Sequence, residues 1–263
     1  EGILSRIDVV FNAMHGEYGE DGEVQKILEA HHIPYTGSRV LASRLAIRKD
    51  LAREAFKNAG LKIPRAVKMT WLDNPERMAK RALAEIGPPF VVKPAGRGSS
   101  VGVHFADNYH GLIDAVSNAL KFDTNILIEK KIKGREATCG ILENFRNERF
   151  YALPIIEIVP PAKKKFFDYE SKYDGSSQEI CPGRFDEKTR DKLQDIAKRA
   201  HQALGCRHYS RSDMIVARDG IYLLETNTLP GLTSESLFPK AASAIGCEFP
   251  QLLDHLISLA IKK

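Results

Sequence analysis

The segment Phe90-Val-Val-Lys-Pro-Ala-Gly-Arg-Gly-Ser-Ser-Val-Gly102 restricts the fold more than any other stretch of this 263-residue chain. An apolar run ends at Lys93, three glycines and two serines follow, and a second strand-like run over 101–105 begins at once. Glycines let backbone N–H groups crowd around an anion, hydroxyls add donors, and Lys93 supplies a point charge for phosphate. The two best-known phosphate loops are not matched. No G-x-x-x-x-G-K-[ST] occurs, and Gly96-x-Gly98-x-x-x-Gly102 is one residue longer than G-x-G-x-x-G and leads into a strand, not a helix. A phosphate cover and a plain glycine-rich hairpin both fit these residues.

A second constellation, Arg211-Ser-Asp213 followed by Leu224-Glu225-Thr-Asn227, sits on two strand-like runs, 212–216 and 221–225. Residues two apart on a strand face the same side, so Glu225 and Asn227 project together, with Asp213 within reach from the neighbouring strand. Two carboxylates and an amide oxygen are hard ligands suited to Mg²⁺ on nucleotide phosphates. Arg211 lies close enough to hold a carboxylate or a developing oxyanion. An exposed strand end gives the same pattern, and it is the upstream loop that favours a phosphate site. Thr228 to Leu237 then runs from the acidic strand into a helix start, where N–H groups and serine hydroxyls suit a substrate carboxylate or a simple helix cap.

The remaining pattern alternates strands and helices. A buried strand is expected at 7–11, helices at 24–31, 42–59, 75–86, 111–120 and 188–204, and a last helix opened by Pro250. Strands are expected at 66–70, 90–93, 126–129, 137–142 and 150–158, and the polar stretch 162–177 is too long for a simple turn. The mixture argues for an α/β (α+β) fold in two or three lobes.

Lys plus Arg number 39 against 34 Asp plus Glu, a net charge of +5. That excess tolerates anionic ligands, but Lys130, Lys131, Lys133 and Lys163 to Lys165 lack the aromatic interleaving of a single-strand groove, so no nucleic-acid partner is expected. Cys139, Cys181, Cys206 and Cys247 form no C-x-x-C pair, which suits reduced thiols in a cytoplasmic protein. No apolar run approaches a membrane-spanning length of about 18 residues, so no membrane partner is expected. His31, His32, His104, His110, His201, His208 and His255 match no H-E-x-x-H spacing and receive no role.

Val-Val-Lys-Pro with Gly-Ser-Ser-Val-Gly, then Leu-Leu-Glu-Thr-Asn-Thr-x-Pro-Gly-Leu-Thr-x-x-Ser-Leu, together with Phe11-Asn-Ala-Met-His-Gly and Gly19-Glu-Asp-Gly22, resemble the D-alanine–D-alanine ligases of the ATP-grasp superfamily. The resemblance runs from about Asp8 to Ile257. It implies an ATP-grasp fold with nucleotide between two α+β lobes: a remnant of an amino-terminal α/β substrate domain at 1–38, a central lobe at 39–128, and a carboxy-terminal lobe with the metal and substrate site at 129–263. The implied activity is ligation of two D-alanines through an acyl phosphate, for peptidoglycan precursors.

The resemblance also implies roles. Lys49 and Lys93 contact ATP phosphates, with Ser99 and Ser100 in the loop over them. Glu129, Lys130 and Glu136 frame the adenosine. Lys172 reaches phosphate from a lid spanning 167–173, and Tyr173 bonds to Ser99. Asp213, Glu225 and Asn227 hold two Mg²⁺, with Mn²⁺ as a substitute. Arg211 and Gly231 stabilise the tetrahedral intermediate, His15 lies near the first substrate, and Ser236 with Leu237 receives the second. The implied partners are D-alanine and ATP, and a second copy of the chain in a homodimer.

The chain departs from the family at several places. Arg48 stands for the usual Asp before Lys49, Ala95-Gly96 for Ser-Arg, Leu229 for a frequent Ser and Glu235 for a frequent His. Nothing matches the family's glycine-rich first strand and Glu-x-x-Ser element, and the chain opens on Glu1, so on the order of 60 residues are expected to be missing in front. Two alternatives stay open: a D-alanine–D-lactate or other carboxylate–amine ligase, and an inactive nucleotide-binding fragment.

Overall fold

The computed structural model describes residues 6–98, 101–160 and 178–262. Helix α1 (Glu23–Ala30) follows Gly22, whose φ of 91° is a conformation glycine adopts without strain. Helices α2 (Val40–Ile47) and α3 (Lys49–Asn58) come next. The one helix expected over 42–59 is thus divided at Arg48, where ψ is 87°. The division frees the backbone N–H of Lys49 to donate to the Ala95 carbonyl at 2.8 Å, a bond that an unbroken helix would spend internally. The strand expected at 7–11 is reduced to one parallel bridge between Val10 and Tyr35.

The first sheet contains β1 (Ala66–Thr70), β2 (Phe90–Pro94), β3 (His104–Ala106) and β4 (Asn125–Lys130), antiparallel in the order β1-β4-β2-β3. Alternate residues Val67, Met69, Phe90, Val92, Ile126 and Ile128 point to one face. That face is covered by α4 (Pro75–Glu85) and α5 (Tyr109–Ala119) through Met78, Ala82, Leu112 and Val116. Both helices start on an asparagine side chain that accepts the N–H three residues on, Asn74 from Arg77 and Asn108 from Gly111.

The second sheet holds β5 (Arg135–Phe145), β6 (Glu148–Ala152), β7 (Ile156–Val159), β8 (Gln178–Ile180), β9 (Tyr209–Ala217) and β10 (Gly220–Asn227). Its order is β10-β9-β5-β7-β8, with β6 also paired to β5. The strand expected at 150–158 is interrupted where Pro154 removes a ladder donor, so β6 and β7 line separate parts of β5. Helix α6 (Glu187–Ala203) puts Leu193, Ala197 and Ala200 into one core with Phe56, Met214 and Leu223. On another part of the sheet α7 (Leu237–Ser243) and α8 (Phe249–Ile261) bury Phe238, Leu252 and Leu256 with Leu142, Leu153 and Tyr209. Ala52 and Phe56 seat α3 in the second sheet's core, whereas its first residue reaches the end of β2 in the first. This brings the loop after β2 to the ends of β9 and β10.

Candidate active site

Strands β9 and β10 pair with Asp213 opposite Glu225 and Arg211 opposite Asn227. A register shift between Leu223 and Glu225 leaves Leu224 unpaired, so that Glu225, not Leu224, faces Asp213. Arg211 donates from Nε and Nη2 to the two Asp213 oxygens, each at 2.9 Å. Thr138 on β5 adds a hydroxyl donor to the same carboxylate at 2.7 Å. Burial pulls the Arg211 guanidinium down, but Asp213, Glu225 and Glu20 together outweigh it and hold it above its ordinary range.

Across from these strands, Lys49 Nζ lies 3.2 Å from Glu225 Oε2 and donates to the Arg97 carbonyl at 2.8 Å. One lysine therefore touches the acidic strand and the glycine-rich loop together. That loop has other anchors: Gly96 N donates to Asp123 at 2.6 Å, and Arg97 pairs with Glu17 at 3.0 Å. Lys93, at the end of β2, is buried and sits 2.7 Å from Glu129 Oε2. Glu129 Oε1 accepts from Arg53 at 2.6 Å, with both partners buried.

The amino-terminal segment closes a third side. Asn12 bonds through its backbone to Thr36 and through its side chain to the Gly19 carbonyl, fixing the turn that carries His15. Glu20 accepts from Gly16 N at 2.7 Å. Burial, the largest influence, raises its pKa, and nearby Glu225 pushes the same way, while Gly16, His15 and Arg211 oppose it. A side chain on Gly231 would meet Ser236 Oγ at 2.6 Å and His15 Nε2 at 3.9 Å, so these three expected residues converge. Ser236 precedes α7, but its hydroxyl makes no cap bond to the helix; Oγ instead accepts from Thr233 N at 3.0 Å, so the simple helix cap does not account for it. Leu237 begins α7 and packs on the adjoining core. A cavity of about 220 Å³ lies here, lined by Asn12, His15, Tyr209, Leu229 and Thr233.

Asp213, Glu225, Asn227, Arg211, Lys49, His15, Gly231 and Ser236 are thus gathered into one region. Lys130 places its ammonium elsewhere, on the carbonyls of Gly87 and Pro88 in the turn before β2. Glu136 lies on β5 opposite Ile158 and Ile215. Ser99, Ser100, Lys172 and Tyr173 fall outside the described residues. The structure adds Glu20, Thr138 and Arg53, which received no role from the sequence. Glu20 sat inside the Gly19-Glu-Asp-Gly22 motif and could have been singled out; Thr138 and Arg53 carried no local signal.

Among the described residues, no group of three or more His, Cys, Asp or Glu is assembled for a metal ion. The oxygen set Asp213, Glu225 and Asn227 nonetheless suits a hard divalent cation, since each carboxylate already faces a cationic side chain, Arg211 or Lys49.

The family described as "D-ala D-ala ligase C-terminus" matches residues 55–258, and "D-ala D-ala ligase N-terminus" matches residues 2–38. A D-alanine–D-alanine ligase of Desulfotalea psychrophila is 46% identical over 260 residues, covering 98% of this chain and 79% of the relative. The solved VanG D-Ala:D-Ser ligase of Enterococcus faecalis superposes with a TM-score of 0.86 at 35% identity, over 96% of this chain and 73% of the other. A Bacillus anthracis D-alanine–D-alanine ligase solved with ATP gives 0.83 at 33% identity, over 98% of this chain and 80% of the other.

Proposed function

The chain belongs to the D-alanine–D-alanine ligase family, an ATP-grasp enzyme family, and we propose that its ATP-dependent joining of two D-alanines runs on the cleft between Lys49, Lys93 and the ends of β9 and β10. The product is a peptidoglycan precursor. The observation that carries the site assignment is the meeting of Lys49 with Glu225 beside the Arg211–Asp213 pair. Phosphate-binding charge and metal-type oxygens stand within one hydrogen-bond length of each other there. Relatives at 46% and 45% identity carry the dipeptide-forming name, which weighs against the lactate-using and non-catalytic alternatives.

In this reading a carboxylate oxygen of the first D-alanine attacks the γ-phosphorus of ATP, forming an acyl phosphate and releasing ADP. The amine of the second D-alanine then attacks the acyl carbon and loses a proton. The tetrahedral intermediate collapses as the carbon–oxygen bond to phosphate breaks, leaving the peptide and inorganic phosphate. Lys49 and Lys93 bind the phosphates, and Ser99, Ser100, Lys172 and Tyr173 are assigned to the cover over them. Arg211 and the Gly231 backbone hold the developing oxyanion. His15 stands beside the first substrate, and Ser236 with Leu237 holds the second. Glu129, Lys130 and Glu136 frame the adenosine. Asp213, Glu225 and Asn227 would hold two Mg²⁺, or Mn²⁺ in their place, which when bound offset charge on the transferred phosphoryl group.

The division at 1–38, 39–128 and 129–263, a homodimer and a cytoplasmic location complete the proposal. No described helix is long and apolar enough to cross a membrane. Phosphate release measured with ATP and Mg²⁺, with and without D-alanine, tests it, with the dipeptide followed by mass spectrometry. Release that depends on D-alanine and matches dipeptide formed supports the reading, and nucleotide binding with no dipeptide rejects it.

A further inference from the structure

Arg53 lies one helical turn after Lys49 on α3, so the two project from the same face of the helix. Their surroundings differ. Lys49 reaches the cleft, whereas the Arg53 guanidinium is buried behind the first sheet, with Nη1 on Glu129 Oε1 and Nη2 on the Pro64 carbonyl. Glu129 stands on β4 between Ala66 of β1 and Val91 of β2, and its other oxygen holds Lys93. One buried carboxylate therefore joins two cations, one that faces the phosphate loop and one that faces the protein interior.

This arrangement answers a difficulty. If Lys93 turns to phosphate when nucleotide enters, Oε2 of Glu129 loses its partner, and a buried carboxylate without a partner is strongly unfavourable. Arg53 keeps a charged donor on Oε1 throughout. Its second bond, to the Pro64 carbonyl, fixes the guanidinium plane and hence the direction of Oε2. The freed Oε2 is then an aimed acceptor, matched to a donor on the base. An exocyclic amine satisfies it, and an exocyclic carbonyl in the same place leaves two acceptors facing each other.

We propose that Arg53 is a positioning residue that aims the Glu129 carboxylate, and that it thereby sets the preference for a 6-aminopurine over a 6-oxopurine nucleotide. This rests on the reading above that Glu129 frames the adenosine. Lysine at this position keeps the charge but cannot grip Glu129 and Pro64 with one fixed fork.

The test compares ATP with ITP in the full chain, for Arg53→Lys, Arg53→Met and Glu129→Gln. Arg53→Lys is expected to keep the fold and kcat with ATP, raise KM for ATP, leave KM for D-alanine unchanged, and lower the ATP-to-ITP ratio of kcat/KM about tenfold or more. Arg53→Met is expected to lower it further. If Glu129→Gln lowers the ratio while both Arg53 variants keep the wild-type ratio and lose only thermal stability, Arg53 is a packing residue and the proposal is overturned. If Glu129→Gln also keeps the ratio, it is the placement of Glu129 at the base that fails. Should Arg53→Met not fold, the ratio in Arg53→Lys decides, because retention of the wild-type value there is sufficient to reject the proposal.

Discussion

Arg211 grips Asp213 through two guanidinium nitrogens, both at 2.9 Å, from two residues earlier on the same strand. Glu225, directly across the ladder, faces Lys49 at 3.2 Å. A divalent ion must compete with both cations for these carboxylates. Mg²⁺ alone is therefore expected to bind weakly, and far more tightly once nucleotide phosphates draw Lys49 away. Calorimetric titration of Mg²⁺ with and without a non-hydrolysable ATP analogue checks this, and equal affinities would count against it.

Replacing Glu225 by Ala is expected to weaken Mg-ATP about tenfold or more, with a much smaller loss for metal-free nucleotide. The same calorimeter reads both. Equal losses would mean that Glu225 acts only through Lys49 and holds no metal.

A methyl group at Gly231 would meet Ser236 Oγ at 2.6 Å, so the serine hydroxyl has to leave its bond with Thr233. Gly231→Ala should lower kcat/KM for D-alanine about a hundredfold while ATP binding stays near wild type. A parallel fall in nucleotide affinity would remove Gly231 from the acyl-transfer end of the cleft.

His208 gives the chain an acid sensitivity. Its Nδ1 accepts a hydrogen bond from Gly37 N at 3.1 Å, which requires the neutral ring. Burial, with neighbouring Arg207 adding to it, lowers its pKa from 6.5 to about 4. The folded state thus binds this proton less readily than the unfolded state does. The contribution is complete above about pH 6.5 and is lost as the pH falls toward 4, to the extent of roughly 3 kcal/mol. Asn tolerates the left-handed backbone found here, φ 68°, so His208→Asn is the suitable comparison. Urea midpoints at pH 7 and pH 4.5 should differ more in the wild type than in the variant. Identical differences would assign the acid sensitivity to other groups.

Gly140 on β5 is crowded in another way. A Cβ there would approach the Phe238 ring to 2.7 Å and a Leu153 methyl to 2.8 Å. Gly140→Ala should cost about 1–3 kcal/mol through overpacking. Adding Phe238→Leu should recover part of that cost, so the double variant is expected to be more stable than the two single effects add up to. Strict additivity in urea unfolding would show that Phe238 does not confine Gly140.

Local periodicity made much of this fold readable. Leu193, Ala197 and Ala200 recur at helical spacing and do line one buried face of α6, and the runs around Asp213 and Glu225 do pair as neighbouring strands. The acid–amide spacing was legible for the same reason, since a period of two needs no tertiary information. Arg48 and Pro154 show where this stops. Ala42 to Ala59 has helical spacing on both sides of Arg48, yet the helix divides there and Lys49 N bonds instead to Ala95, just past β2 in the first sheet. Arg53 and Glu129 are 76 residues apart, and Glu157 meets Arg135 and Arg184 from 22 and 27 residues away. No local pattern encodes such pairs, because they arise only when strands and helices distant in sequence are brought together.

Lys49 has its backbone N–H on Ala95, its ammonium on Arg97, and the same ammonium on Glu225 of the opposite sheet. In kinetic terms this makes the cleft a latched door. Nucleotide arriving from solution meets a lysine already committed, and its entry has to wait for the Lys49–Glu225 contact to open. Salt, which ordinarily slows the encounter of a polyanion with a basic protein, would here also loosen the latch. The association rate would accordingly fall less steeply with ionic strength than the charge of the nucleotide alone dictates, and the affinity would follow it, because the latch belongs to the nucleotide-free protein.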